Sequence, residues 1–495
     1  MSVRIEVQRS SFFKELDKEK QDKYFGIIRN KFLPSIDNIY YSLFLSDDRN
    51  NNLILEPLFE LLEDLKKKAL KEYEPQKFDN DLLLDIKSYS IYKFCLSNPD
   101  LFDIFITNYL PNDETPRICI QVRAYGLWIH GAEKMLEDSY NQVCKIFEPF
   151  GITIGSCIEN RIDYCYHTNA ITSPEKMFSD ENIFKHMQTS MKSWHQSGRI
   201  SCSDEALVLH KDYFALGNRK SNNVFIRIYN KALEVVEMGY KGFFFDLWYQ
   251  NNLISFYDNY CLEKAYLKKD YNYIYKAKLM FYVEYGTDEE IKTKYKEALE
   301  NSDSTYKDFK TLANEYMPDI TIVTNVEFET KRKFYYYSDD FINQLLKTFD
   351  YRDNSLPIRR LYKIIDNRKI FVDYLTSKVL NFSEDGEYFS WWKRLRNTKL
   401  EGLKVDIKLL REYSKELDDK VVKQKLINDI ATNAVYDNSL HTNFEEDASA
   451  ILSNLNDNHA YMLSTYRTKK YQKEKRLKNR KKNPAHNEMQ AGSDD

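Results

Sequence analysis

"FIRIYNKALE", residues 225–234, is the stretch on which the reading of this chain turns. Its β-branched and aromatic residues mark a strand, and in a strand successive side chains face opposite ways. Ile226 and Ile228 then point into a core, while Phe225, Arg227 and Tyr229 share the other face. On that face Arg227 and Tyr229 are roughly 7 Å apart, close enough to hold one phosphodiester. Arginine's planar fork suits a phosphate, and a phenol attacks phosphorus once its proton is taken or a cation stabilises the phenolate.

Two further segments carry a similar pattern. "ENRIDYCYHTN" (159–169) places Arg161, Asp163, Cys165 and His167 on one strand face, and "TNVEFETK" (324–331) places Glu327 and Glu329 together. Carboxylates converging from separate strands beside a phenol suit Mg²⁺ or Mn²⁺, hard ions that take oxygen ligands. Asp163 and His167 are about 13 Å apart on a straight strand, so one ion takes both only if the strand bends. Taken singly, each feature also has an ordinary use: tyrosine and arginine on a half-exposed strand, Asp163 capping a turn, Glu327 paired with a lysine.

Outward from these segments the chain divides by texture. Its 495 residues exceed one ordinary domain. A hydrophobic share of 42% with only 13 glycines and 11 prolines is globular rather than disordered. Residues 1–112 read as an N-terminal helical domain, with Leu58, Leu61, Leu62, Leu65 and Ala69 on one stripe and "PNDETP" (111–116) as the boundary loop. Residues 113–337 read as an α+β domain with a largely antiparallel sheet, and 338–465 as a second helical region. The basic tail, 466–495, lacks apolar periodicity and is expected to be disordered.

Several activities are excluded by absence. No Gly-Lys pair occurs, which removes a P-loop; no two histidines lie two apart, and no His-x-x-Arg or His-Glu-x-x-His is present. The seven cysteines include no Cys-x-x-Cys, so neither a zinc module nor a disulfide framework is indicated. With no apolar leader and no long apolar run, the expected place is the cytoplasm, away from membranes. The net charge of −3 hides a strongly basic segment from Arg467 to Lys482, and such clustering suits nucleic acid.

Taken together, "RID" (161–163), "GNRKSNNVFIRIYNKALE" (217–234) and "VEFE" (326–329) resemble the Rep_trans (replication initiation factor) family of rolling-circle plasmid replication initiators, over roughly residues 117–400. The resemblance implies a site-specific nicking endonuclease and strand transferase of a mobile genetic element. Tyr229 lies where that family has its nucleophile, which becomes linked to the 5′-phosphate and frees a 3′-OH. Asp163 and Glu327 fall on its acidic, metal-holding positions for Mg²⁺ or Mn²⁺, Glu234 on another acidic position, and Arg227 would assist the phenolate. The segment 387–407 resembles the family's origin-recognition region, so Trp392, Lys393, Arg394, Arg396 and Lys399 would contact DNA, with Arg219 and Lys220 beside the nicking strand.

The family's second aspartate is replaced by His167 and its arginine before Val-Glu by Asn325. Implied partners are the double-stranded origin, its single-stranded nick site, a host helicase and a second copy of the chain. A single-tyrosine relaxase of a conjugative element resembles the same family and uses the same chemistry. A DNA-binding protein that kept the fold but makes no cut is the alternative from another class.

Overall fold

The computed structural model describes residues 11–46, 53–109, 116–172, 186–190, 213–217, 219, 222–301, 303–336 and 356–399, with isolated positions at 427, 430, 446, 448 and 449. The features below belong to one compact unit, Met1–Ala69 with Pro75–Leu409. It is an α+β fold built on an antiparallel sheet. The strands, in chain order, are β1 (Phe32–Leu45), β2 (Gln76–Lys77), β3 (Leu83–Leu84), β4 (Phe94–Asn98), β5 (Phe102–Ile106), β6 (Ile118–Val122), β7 (Ile154–Thr168), β8 (Met187–Thr189), β9 (Tyr213–Leu216), β10 (Val224–Asn230), β11 (Thr324–Lys331), β12 (Leu380–Glu384) and β13 (Glu387–Tyr388).

Ten of these form one sheet in the order β2-β3-β4-β5-β6-β1-β7-β11-β10-β9, while β13-β12-β8 make a small second sheet. The expected N-terminal helical domain is therefore corrected. Residues 32–45 are a strand at the heart of the sheet, paired with β6 on one side and β7 on the other. The Glu56–Glu72 helix does form, burying Leu58, Leu62 and Ala69. Its neighbours β2 to β5, however, extend the same sheet, and β5 pairs with β6 across the supposed boundary at 111–116.

The expected boundary at 337 does not divide the molecule either. Leu361, Phe371, Trp392 and Leu395, all beyond it, share one core with Val326 and Phe328 of β11. Residues 338–355 and nearly all of 400–495, the proposed tail included, lie outside the described residues. Among the described residues, no helix is long and apolar enough to cross a membrane.

Alternation along β7, β10 and β11 sends opposite faces of the sheet into different surroundings. Ile162, Tyr164, Tyr166, Ile226, Ile228, Val326 and Phe328 face the core made with the Ala132–Phe147, Arg359–Asp366 and Ser390–Asn397 helices. The opposite face meets a second core of helices from 11–25, 124–129 and 231–316, to which Leu33 and Cys165 of the sheet contribute. Most of that cover is one long excursion between β10 and β11. It leaves through Asn230, whose side chain accepts from the Leu233 amide and caps the Lys231–Met238 helix. It returns at Val323, whose carbonyl accepts from the Lys231 amide at 2.8 Å.

A buried charged cluster as candidate active site

Register brings the residues singled out in the sequence onto one face. Tyr229 stands opposite Asn325 and Arg227 opposite Glu327 on β11. Across the next pairing, Asn325 faces His167, Glu327 faces Cys165 and Glu329 faces Asp163. Because cross-strand neighbours lie about 5 Å apart, these side chains form one continuous cluster. Nearly all of it is buried: Asp163, His167 and Asn325 are at 0% exposure, and Tyr229 at 7%.

The Tyr229 hydroxyl is the best-furnished atom in the cluster. It donates to Glu327 Oε2 at 3.1 Å. It accepts from Lys231 Nζ at 3.2 Å and from Asn325 Nδ2 at 3.1 Å. Glu327 in turn is bound through Oε1 by the Arg227 guanidinium, whose carbon lies 5.2 Å from the centre of the Tyr229 ring. Burial pushes the Glu327 carboxyl up, but Arg227 and Lys231 together outweigh it and hold the group below its ordinary range. Burial and the Glu327 charge push the Tyr229 phenol well above its ordinary value. Lys231 is held well above its own, because Tyr229, Glu234 and Asp37 outweigh the cost of burial. At neutral pH the set is thus a phenol, a carboxylate that accepts its proton, and an ammonium on its oxygen.

A divalent ion at Asp163 and Glu327 does not fit this arrangement of donors. Asp163 Oδ1 accepts from Arg161 Nε at 2.7 Å, and Oδ2 from Asn38 Nδ2 and from Arg161 Nη2. Both Glu327 oxygens are engaged as described, and Asn325 Nδ2 reaches Oε2 as well. The two carboxylates stand on different rungs, and each is met by its own arginine. Glu329 likewise sits between Arg161 and Arg219, and Glu234 pairs with Lys231 at 2.5 Å. Among the described residues, no three His, Cys, Asp or Glu side chains converge to hold a metal. Burial still raises the Asp163 carboxyl to about 7, with Arg161 working against it and Glu327 and Glu329 adding to it.

His167 is packed for apolar company rather than ligation. It stacks on Trp128 at 4.4 Å, meets Phe244 edge-on, and accepts from Trp248 Nε1 through Nδ1 at 3.0 Å. Burial, with Lys231 next, holds it neutral. Asp37 was missed in the sequence because its segment read as helical. It is the extra residue of a bulge between Ile36 and Asn38 of β1. The bulge turns its carboxylate to Lys241 and Trp128 in the helical cover. Lys241 and Lys231, both within the excursion, were given no role from the sequence either, although Lys231 stands inside the 217–234 motif.

Of the expected DNA-binding residues, Trp392 is corrected: it is at 0% exposure, and its indole donates to the Thr376 carbonyl at 2.9 Å. Lys393, Arg394 and Lys399 are exposed, and Arg396 is half-buried over the Tyr388 ring at 4.4 Å. Arg219 is half-exposed and bound to Glu329, and Lys220 lies outside the described residues.

No family model and no curated protein matches the chain. Among solved structures it is similar to the rolling circle replication initiator protein from Geobacillus stearothermophilus, at 10% identity and a TM-score of 0.31, over 74% of this chain and 96% of that one.

Proposed function

We propose that this chain is a rolling-circle replication initiator that nicks and rejoins one DNA strand through Tyr229. The observation that carries the reading is the setting of the Tyr229 hydroxyl, which donates to Glu327 and accepts from Lys231 and Asn325. Together with the family resemblance of residues 217–234, it supplies a nucleophile, a proton acceptor and fixed cations in one buried place. Glu327 takes the phenol proton, Tyr229 Oη bonds to phosphorus, and the 3′-oxygen leaves and becomes a free hydroxyl. Arg227, with Lys231, keeps Glu327 ionised for that task.

The gap between an ordinary phenol and an ordinary carboxylate is about 6 pK units, or about 8 kcal/mol. Full proton transfer ahead of attack would therefore add a large share of a typical barrier. Transfer concerted with bond formation, beside fixed cations, fits the cluster better. Here Glu327 acts as a base rather than a metal ligand. Sequence-specific recognition is assigned to the exposed basic residues Lys393, Arg394 and Lys399, outside the cluster.

The test is Tyr229→Phe. It removes one hydroxyl, so DNA binding should persist while nicking of supercoiled DNA from the chain's own replicon and the covalent adduct both vanish. An adduct surviving in that variant would move the nucleophile elsewhere. Tyr213, Tyr229's partner position on β9, is the next candidate. A relaxase of a conjugative element would behave identically in this assay and is told apart by the genes beside it. One observation favours a DNA-binding protein that makes no cut: Tyr229 is only 7% exposed. Wild-type protein that binds its origin and never forms an adduct would establish that second reading.

A further inference from the structure

We propose that Lys231 is a catalytic residue of this site, its ammonium holding the charge that develops on the Tyr229 oxygen as that oxygen attacks phosphorus and again as it departs on rejoining. The inference rests on the phosphotyrosine reading above.

Among the described residues, Lys231 is the cation that touches the reacting atom. Its Nζ lies 3.2 Å from Tyr229 Oη, whereas the Arg227 guanidinium is spent on Glu327 and approaches the ring rather than the oxygen. The side chain is at 1% exposure, so its field is undiluted by water. It is held from several sides. Its amide donates to Val323, Glu234 takes its ammonium, and Nζ lies 5.5 Å over the Tyr229 ring and 5.4 Å over that of Phe244. The facing carboxylates Asp37 and Glu327 favour its charge, and Asp37 is shared with Lys241. A lysine serving only to balance Glu234 would have no need to reach the phenol.

The step balances without a further reactant. Oη–P forms and P–O3′ breaks; the phenol proton passes to Glu327 and the 3′-oxygen takes one from water. On rejoining, the 3′-OH attacks and gives its proton back to the hydroxide left in solvent, P–Oη breaks, and the phenolate leaves against Lys231 before regaining its proton from Glu327. Lys231 keeps its protons throughout.

The experiment uses the full chain and an oligonucleotide carrying the nick site mapped with wild type. Adduct formation is timed on the ordinary substrate and on one with sulfur in place of the scissile 3′-oxygen. Lys231→Met should slow adduct formation about 10²- to 10³-fold, the loss seen when one charge-stabilising donor is removed. The same loss should appear on the sulfur substrate, because its better leaving group does nothing for the nucleophile. Lys231→Arg, which keeps the charge, should recover most of the rate. Difluorotyrosine at position 229, a more acidic phenol, should rescue Lys231→Met more than it accelerates wild type. Lys231→Gln serves if the Met variant does not fold.

A neutral variant within threefold of wild type would overturn the assignment. So would a defect that disappears on the sulfur substrate, which would place Lys231 on the leaving oxygen. Wild type that forms no adduct would instead overturn the phosphotyrosine reading, and this inference with it.

Discussion

The two faces of the central sheet are both buried, yet they are filled with opposite chemistry. Behind β7, β10 and β11 lie Ile162, Ile226, Ile228, Val326 and Phe328, packed on hydrocarbon. In front lie Arg161, Asp163, Arg227, Glu327 and Glu329, packed on one another. A buried apolar face stabilises a fold in proportion to its area. A buried ion pair gives back in attraction about what its desolvation costs, so it is weak evidence for stability. One face thus explains why the sheet exists, and the other needs a reason of a different kind.

The comparison can be broken most directly by truncation. Phe328→Ala removes a side chain at 0% exposure from the apolar face and should cost about 3–5 kcal/mol, read as a lowered urea midpoint. Glu327→Ala on the charged face should cost somewhat less, about 2–4 kcal/mol, because Arg227, half-buried at 20% exposure, is left without its carboxylate. The decisive contrast is the double replacement Arg227→Met with Glu327→Leu. It should return stability to within about 2 kcal/mol of wild type or better, while adduct formation is lost. A double variant as unstable as Glu327→Ala would mean that the pair is structural after all.

Acid offers a gentler probe. His167 is held neutral by burial, so its folded pKa lies below the unfolded value near 6.5. Below that value the unfolded chain binds the extra proton, and stability is lost as pH falls, by up to about 1.4 kcal/mol per unit. Asp163, raised to about 7, binds its proton in the folded state and pulls the other way between about pH 7 and 4. The informative quantity is accordingly the difference in slope between wild type and His167→Gln, measured by chemical denaturation from pH 7 to 5. Equal slopes would show His167 charged or exposed. The smallest effect should come from the exposed helix start. Arg394→Ala should leave stability within about 0.5 kcal/mol while raising the Kd for the origin duplex.

Much of the charged face was legible in the sequence, because period-two alternation in "RIDYCYHT", "FIRIYN" and "VEFETK" states which residues share a side. What alternation does not state is which strands become neighbours. The family resemblance made Asp163 and Glu327 partners around an ion, whereas register sets Asp163 against Glu329 and gives each carboxylate an arginine. β1 was lost for a local reason. Pro34, Asp37 and Asn38 interrupt its apolar pattern, and the bulge at Asp37 shifts its phase. Trp392 was misplaced because a basic helix start with two tryptophans suits DNA and core equally well. Its buried bond to Thr376 decides for the core.

The excursion between β10 and β11 bears on the order in which the molecule assembles. Pairing those strands closes a loop formed by residues 231–323, at an entropic cost of about 4 kcal/mol for a flexible chain of that length. The loop, however, is a set of helices with a core of its own, and the Lys231 amide on the Val323 carbonyl draws its ends together. Helices that condense first would leave β10 and β11 already side by side. The hydroxyl of Tyr229 and the carboxylate of Glu327, 98 positions apart in the chain, would then meet as one of the last acts of folding rather than one of the first.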